Sequence, residues 1–336
     1  MFTLKRYEGN PILSPHPQNT WENTAVCNPG AWYEDGVFSL LYRAAGDDPE
    51  HYIYFDLATS KDGFHFERFS DSPVFSPEID GPSSGCVEDP RIVKFGDAFF
   101  VTYAYRPFPP GKYWLMPYGE VKTYDTPLHA PVCLKKNLTS SGLLVSGNLK
   151  TFRRLGRITK SYLNDRDVIL FPEQVNGKYV MLHRPTEWVG EAYGCAEPAM
   201  WISFSDDLLE WGDSKMLISG KYWWDQKLGG ATPPVKTPSG WLTLYHGVDS
   251  KKIYRVGAML LDLNDPSRVL ARASDFILEP QMDYETKGLY SGCVFPTGNV
   301  VVDGVLYVYY GGADKYCCVA TCGLNELVEF VLSYAK

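Results

Sequence analysis

The chain has 336 residues, 45% of them apolar, which is enough for a sizeable core in one large domain or two ordinary ones. Its net charge of −8 and pI near 5.3 exclude the basic surface that a nucleic-acid backbone needs. No apolar run in the sequence approaches the length that spans a bilayer. The opening MFTLKRYEGNPILSPHP lacks the apolar centre of a signal peptide, so a cytoplasmic protein is expected. Aromatic residues make up 15%, a content that suits both β-structure and platforms on which sugar rings stack. The eight cysteines, scattered from Cys27 to Cys322, show no paired zinc spacing. Reduced, mostly buried thiols are therefore expected, with no metal and no cofactor.

In chain order, one phrase recurs: an apolar residue and Pro, a short strand, a Gly turn, and a second strand ending in Tyr or a polar aromatic. It reads NPGAWYEDGVFSLLYRA from Asn28, DPRIVKFGDAFFVTYAY from Asp89, FPEQVNGKYVMLHRP from Phe171, PPVKTPSGWLTLYHG from Pro233 and FPTGNVVVDGVLYVYYGG from Phe295. Its anchors Pro29, Pro90, Pro172, Pro234 and Pro296 recur at intervals of about 60 residues, with one longer gap, as repeated supersecondary units do. Gly36, Gly96, Gly177, Gly240 and Gly304 fall where a hairpin needs positive φ. Several units add a second hairpin, as in IYFDLATSKDGFHFERF and AMWISFSDDLLEWG. Four strands in each of five units predict an all-β, five-bladed β-propeller with an axial active-site pocket, a single domain over 1–336. A pair of β-sandwiches is the alternative, and the even repeat counts against it. The longer gap holds an insertion in the second blade at about 106–140, rich in Pro, Gly and aromatics, which reads as an ordered loop serving as a lid or a subunit contact.

Innermost strands would bring distant residues to one axis. Asn28, Arg43, Asp47 and Asp48 come from the first blade, and Glu88, Asp89, Arg91 and Arg106 from the second. The third contributes Asp165, Arg166, Asp167, Glu173, His183, Arg184 and Glu187; the others supply His246, Asp249 and Asp314. Carboxylates and cations around a pocket suit glycosyl transfer, in which an acid protonates the leaving oxygen while a nucleophile reaches the opposite face of the sugar. Hydrolysis uses a second carboxylate; phosphorolysis needs the acid plus cations that hold phosphate.

The motifs GCVEDPRI, DVILFPEQVNGKYVMLHRP, GGATPPVKTPSGWLTLYHG, YRVGAMLLDLNDPSRVLAR and YVYYGGAD together resemble glycoside hydrolase family 130, the β-mannoside phosphorylases and β-1,2-mannosidases. The resemblance runs from NPILSP to YYGGAD. It implies a five-bladed fold and a single Asp as general acid, matched here by Asp89, acting through the mannosyl 3-hydroxyl. Phosphate then attacks the anomeric carbon with inversion, giving α-mannose 1-phosphate.

Asn28, Arg43, Asp48, Glu88, Arg91, His246 and Asp314 are expected to bind the sugar, and Arg106, Arg154, Arg166 and His183 to bind phosphate. Glu173 and Glu187 stand as bases that would activate water if the enzyme is instead an inverting β-1,2-mannosidase. The donors Arg166, His183 and Arg184 incline the reading towards phosphorolysis of short β-1,2-linked or other β-linked mannosides, with inorganic phosphate as co-substrate. A lectin-like propeller that binds mannosides without turnover is a second alternative, disfavoured by the intact EDPR. Homo-oligomer formation is left open; neither nucleic acid nor membrane is an expected partner.

Overall fold

The structure, a computed structural model, describes residues 2–77 and 85–335. After the two-residue strand β1 (Lys5–Arg6), the chain folds as successive antiparallel meanders. The first unit is β2 (Ala25–Glu34), β3 (Val37–Ala45), β4 (Ile53–Ser60) and β5 (Glu67–Arg68). The second is β6 (Cys86–Phe95), β7 (Ala98–Arg106), β8 (Ser140–Ser146) and β9 (Arg153–Arg157), joined to the first by one parallel bridge, Ile53 to Cys86. The third is β10 (Asp165–Leu170), β11 (Tyr179–Pro185), β12 (Met200–Ser205) and β13 (Gly212–Ile218).

In the fourth unit β14 (Lys227–Gly230) and β15 (Val235–Thr237) both pair with β16 (Gly240–Val248), followed by β17 (Tyr254–Leu261) and β18 (Val269–Arg272). The fifth is β19 (Val294–Val302), β20 (Val305–Gly312) and β21 (Tyr316–Gly323), and its fourth strand is β1, paired to β21 through Lys5–Thr321 and Arg6–Ala320. The protein is thus all-β. The longest helix among the described residues, Leu324–Leu332, buries Leu327, Val328 and Val331 against the fourth and fifth units. No helix among the described residues is long and apolar enough to cross a membrane.

Local chemistry explains the hairpins. Asp35-Gly36, Asn176-Gly177 and Asp303-Gly304 each place two successive residues at positive φ, the geometry that matches the twist of flanking strands. Gly96 and Gly240 also carry positive φ at the expected turns. Packing then links the units in order, because each strand alternates between two apolar faces. Leu41 and Leu57 meet Val87 and Ile92; Val93 and Leu143 meet Val168 and Leu170; Ile169 and Leu182 meet Trp241 and Tyr245. Leu244 and Val256 meet Val294 and Val308, and Ala31 and Leu40 meet Val300 and Tyr309, so the fifth unit also packs on the first.

Two of the expected anchors need correction, and Pro234 is one, since it follows β14 and lies in the link to β15. Pro172 does not open the third unit; it lies beyond β10, in the turn to β11. What the first three units share is a bulge. The ladder slips between Cys27 and Gly30, between Glu88 and Arg91, and between Arg166 and Ile169. Asn28, Asp89 and Asp167 occupy those slips at φ of 49°, 54° and 57°. Asn and Asp tolerate this left-handed conformation better than other side-chain-bearing residues, and a bulge re-aims the side chain it carries. The third unit has Val168 where the first two have Pro29 and Pro90, which hides the correspondence.

Candidate active site

The bulges of the first two units deliver one acidic centre. Asn28 Nδ2 donates to Asp89 Oδ1 at 2.8 Å, and Arg43 Nη1 stands 3.4 Å from the same oxygen. Arg91 is a brace: its Nη1 donates to the Asp89 carbonyl at 3.0 Å and its Nε to the Ala231 carbonyl at 2.8 Å, tying the second unit to the fourth. Next to Asp89, Glu88 lies 3.6 Å from Arg43 and 3.8 Å from Arg106, and accepts from Cys86 Sγ at 3.0 Å. Burial opposes its charge, yet the two guanidiniums win and hold the Glu88 carboxyl down at about 2. It is a fixed anion. Arg106 Nη1 donates to the Asn137 carbonyl at 2.6 Å.

The 106–140 segment reaches this centre through Tyr113. Lys112 pairs with Asp47 at 2.8 Å and Lys122 with Glu50 at 2.6 Å, which fastens the segment to the first unit. The Tyr113 hydroxyl then meets Arg43 Nη2 at 3.1 Å and donates to Asp314 Oδ2 at 3.2 Å. Burial, and then the neighbouring Asp89, push the Asp314 carboxyl up, with Arg43 acting against them.

A second centre forms around the third bulge. Asp167 Oδ2 accepts from Arg184 Nε at 2.6 Å and lies 3.5 Å from His246 Nε2, while Arg91 Nη2 is 3.9 Å from Oδ1. Burial disfavours the Asp167 charge, but Arg184, His246 and Arg91 pull its carboxyl well below the usual range. His246 is fully buried between the rings of Phe295 and Tyr254, and burial pushes it down to about 3, so it is neutral at pH 7. Only glycine fits at 229, because a Cβ there would collide with Asp167 Oδ2 and His246 Cε1.

Two cations complete the cluster without acids of their own. Arg166 donates from Nη2 to Thr139 Oγ1 at 2.6 Å and from Nε to Asn164 Oδ1 at 3.2 Å. Lys227 donates to the Tyr118 hydroxyl at 2.9 Å and reaches Tyr254 at 3.5 Å. Neither has a carboxylate within ion-pair distance among the described residues. Burial and then neighbouring guanidiniums, Arg106 and Arg184 for Arg166 and Arg184 for Lys227, press both below their ordinary values.

Other expected site residues stand apart. Glu173 follows β10 at its far end, the end opposite Asp89's place in β6, and is exposed and paired with Lys236. Arg154 sits on the outermost strand of the second unit, its guanidinium over Phe75 and its Nη2 donating to the Ser76 carbonyl. His183 faces away from Arg184, as strand alternation requires, and is held between Asp165 Oδ2 at 2.8 Å and Ser203 Oγ at 2.9 Å. The Asp48 carboxylate accepts the N–H groups of Glu50 and Tyr52 and so closes its own turn. Glu187 lies at the rim, accepting the Asn164 N–H at 2.9 Å.

Sequence reasoning gave no role to Lys227 or Tyr254, and placed Asp167 near the axis without one. Lys227 follows Trp224-Asp225-Gln226 with no motif of its own; its position only emerges from the pairing of β14 with β16.

Known proteins resemble this chain over nearly all of its length. The family model of glycoside hydrolase family 130, described as beta-1,4-mannooligosaccharide phosphorylase, matches residues 3–127 and 132–333. A 1,2-beta-oligomannan phosphorylase of Thermoanaerobacter sp. (strain X514) is 37% identical over 334 residues, covering 97% of this chain and 99% of that protein. A beta-1,2-mannobiose phosphorylase of the same strain is 38% identical over 343 residues, covering 98% and 100%. Among solved structures, the beta-1,2-mannobiose phosphorylase from Listeria innocua in complex with beta-1,2-mannobiose superposes with a TM-score of 0.79 at 26% identity, over 98% of this chain and 99% of that one. This chain belongs to glycoside hydrolase family 130 and is an enzyme of that family.

Proposed function

We propose that the protein is an inverting β-1,2-mannoside phosphorylase. The observation that carries the reading is the pair Arg166 and Lys227: half-buried cations, mutually repelled with Arg184 and Arg106, and supplied with hydroxyl and amide partners instead of acids. Burying unpaired cations is costly, and a bound dianion removes the cost through charge-assisted hydrogen bonds. The carboxylate that hydrolysis would need for water activation is not supplied by Glu173, which lies at the far end of its unit.

In this reading Asp89 is the general acid. A phosphate oxygen forms a bond to the anomeric carbon as the bond from that carbon to the glycosidic oxygen breaks. The Asp89 proton, relayed through the mannosyl 3-hydroxyl as family membership implies, ends on the leaving oxygen. The products are α-mannose 1-phosphate and a mannoside shorter by one unit. Asn28 and Arg43 orient Asp89, Glu88 balances Arg43 and Arg106, and Asp314 with Tyr113 binds sugar hydroxyls. Arg166, Lys227 and Arg184 hold the phosphate, beside a neutral His246.

We further infer a single five-bladed β-propeller domain, supported by the apolar layer each unit shares with the next and by the packing of the fifth unit on the first. A cytoplasmic location fits a product that is useful only where it is retained.

The test is incubation with β-1,2-mannobiose, and in parallel with β-1,4-mannobiose, each with and without inorganic phosphate. Mannose 1-phosphate formed from the β-1,2 substrate only in the presence of phosphate is expected. Free mannose at the same rate without phosphate establishes the mannosidase instead, and preference for the β-1,4 substrate overturns the linkage.

A further inference from the structure

On the other face of the fourth unit from the acid cluster lies a cavity of about 540 Å³, lined by Trp223, Gln226, Asp249, Lys251 and Arg255. Strand alternation relates the two faces. Tyr254 packs on His246 and Phe295, whereas the next residue, Arg255, packs on Trp223 and Phe276. Lys227 turns towards Tyr118 while its neighbour Gln226 borders the cavity.

Trp223 is 63% exposed, yet its ring is braced by Arg255 on one face and by Phe276 at an edge. Its chain neighbour Trp224 is buried and donates from Nε1 to the Ser274 carbonyl at 2.8 Å. Asp225 accepts the N–H groups of Lys221 and Tyr222 and pairs with Arg272 at 2.5 Å, which locks the loop. One face of the Trp223 ring is covered by the Arg255 guanidinium at 4.7 Å, and Phe276 meets it edge-on at 6.3 Å. Arg255 is itself pinned by Asp249 at 2.8 Å and Glu279 at 3.0 Å, leaving Nη2 with no protein partner among the described residues. A large apolar ring is thus fixed with one open face, beside free donors and acceptors on Arg255, Gln226 and Lys251.

A fixed ring with such a rim matches a pyranose: the apolar face stacks and the hydroxyls bond to the rim. β-Mannosyl units suit it, since their axial hydrogens at C1, C3 and C5 gather on one face. We propose that this cavity is a secondary subsite for the distal units of a β-mannan chain, with Trp223 as its platform, an inference that rests on the mannoside reading of the active site. Because the platform is preorganised, little ordering entropy opposes binding there.

The experiment compares the wild-type protein with W223A and W223F on β-1,2-mannobiose and β-1,2-mannopentaose. In W223A, KM for the pentaose is expected to rise roughly five- to tenfold with kcat unchanged and KM for mannobiose unmoved. W223F is expected to keep most of the affinity. Titration of the wild type with pentaose, followed by tryptophan fluorescence, should give a change that W223F lacks. Equal KM values for wild type and W223A at both lengths overturn the subsite and leave the phosphorylase reading standing. If the wild type turns over no mannoside, that reading falls, and the fluorescence titration alone decides the cavity: no Trp223-dependent change overturns it. A W223A protein whose light-scattering mass halves while its chain-length dependence stays as in the wild type marks a contact between copies of the chain, and this too overturns the proposal.

Discussion

The Tyr113 hydroxyl joins Arg43, 3.1 Å away in the first unit, to Asp314, 3.2 Å away in the fifth. Tyr113 itself belongs to neither, since it arrives on the segment between β7 and β8 of the second unit. One phenol thereby sets the distance between a cation that contacts Asp89 and a carboxyl that burial drives towards its neutral form. Tyr113→Phe keeps the ring and removes both bonds. We expect kcat/KM to fall roughly 10- to 100-fold, and the melting temperature to fall with it, since leaving a buried polar group unpaired costs about 1–3 kcal/mol of stability. Steady-state phosphorolysis with thermal unfolding checks it.

Asp89→Asn preserves the shape and the bond to Asn28 but removes the proton to be transferred. Activity should drop by about 10²- to 10⁴-fold, the usual contribution of general acid catalysis. Phosphate binding, measured calorimetrically, should be retained. Full activity in this variant would eliminate Asp89 as the acid.

Lys227→Met removes a cation that has no acid partner among the described residues and relieves repulsion with Arg184. The ligand-free variant should therefore melt no lower than the wild type. Its KM for phosphate should rise by tenfold or more, and the same phosphate concentration should raise the melting temperature by clearly less than in the wild type. In the wild type, phosphate at about 100 times its dissociation constant is expected to stabilise by about 2.7 kcal/mol. A lower melting point of the ligand-free variant would mean that Lys227 serves structure instead.

His51 and His246 predict the acid limb of stability. Both are buried and pushed down to about 3, His51 by burial and then Arg43, His246 chiefly by burial. Between about pH 3 and 6.5 the unfolded chain binds protons at these positions that the native state refuses, so native stability rises with pH through that window. It is lost as pH falls below about 6.5, by up to about 1.4 kcal/mol per pH unit for each histidine. Glu88, held at about 2, acts in the same direction below its ordinary value. Asp56, pushed up to about 6 by burial, acts oppositely between its ordinary value and 6, offsetting one histidine in part. Denaturant titrations at pH 7 and pH 5 should show the net loss, and His246→Gln should flatten it.

Gly229→Ala tests how tightly the second centre is packed. The added methyl meets Asp167 and His246, so the Asp167–Arg184 bond must open. Loss of most activity and a drop in melting temperature are expected together; full activity in the Gly229→Ala variant would show that the centre yields.

Turn chemistry made the hairpins readable in advance: the Asp-Gly and Asn-Gly pairs at 35–36, 176–177 and 303–304 take positive φ at both positions, as a tight hairpin turn needs. Asp89 was legible because acid, Pro and Arg stand together before an apolar strand. Asp167 plays the same backbone part, but Val168 replaces the proline, and the aligned phrase slipped downstream to Pro172. His183 and Glu173 misled for a different reason. A sequence shows residue type and order, whereas the face of a strand and the end of a hairpin decide which charges meet. Lys227 and Tyr118, separated by 109 positions, are brought together only by the long segment crossing between units.

β1 carries a consequence for how the molecule is made. The strand that finishes the fifth unit is formed by Lys5 and Arg6, and Arg6 is anchored to buried Glu285 at 2.8 Å. Among the described strands β1 is made first and its partner β21 last. The nascent chain must therefore carry a waiting edge while nineteen other strands are synthesised, and the fifth sheet is sealed only after all of them have emerged.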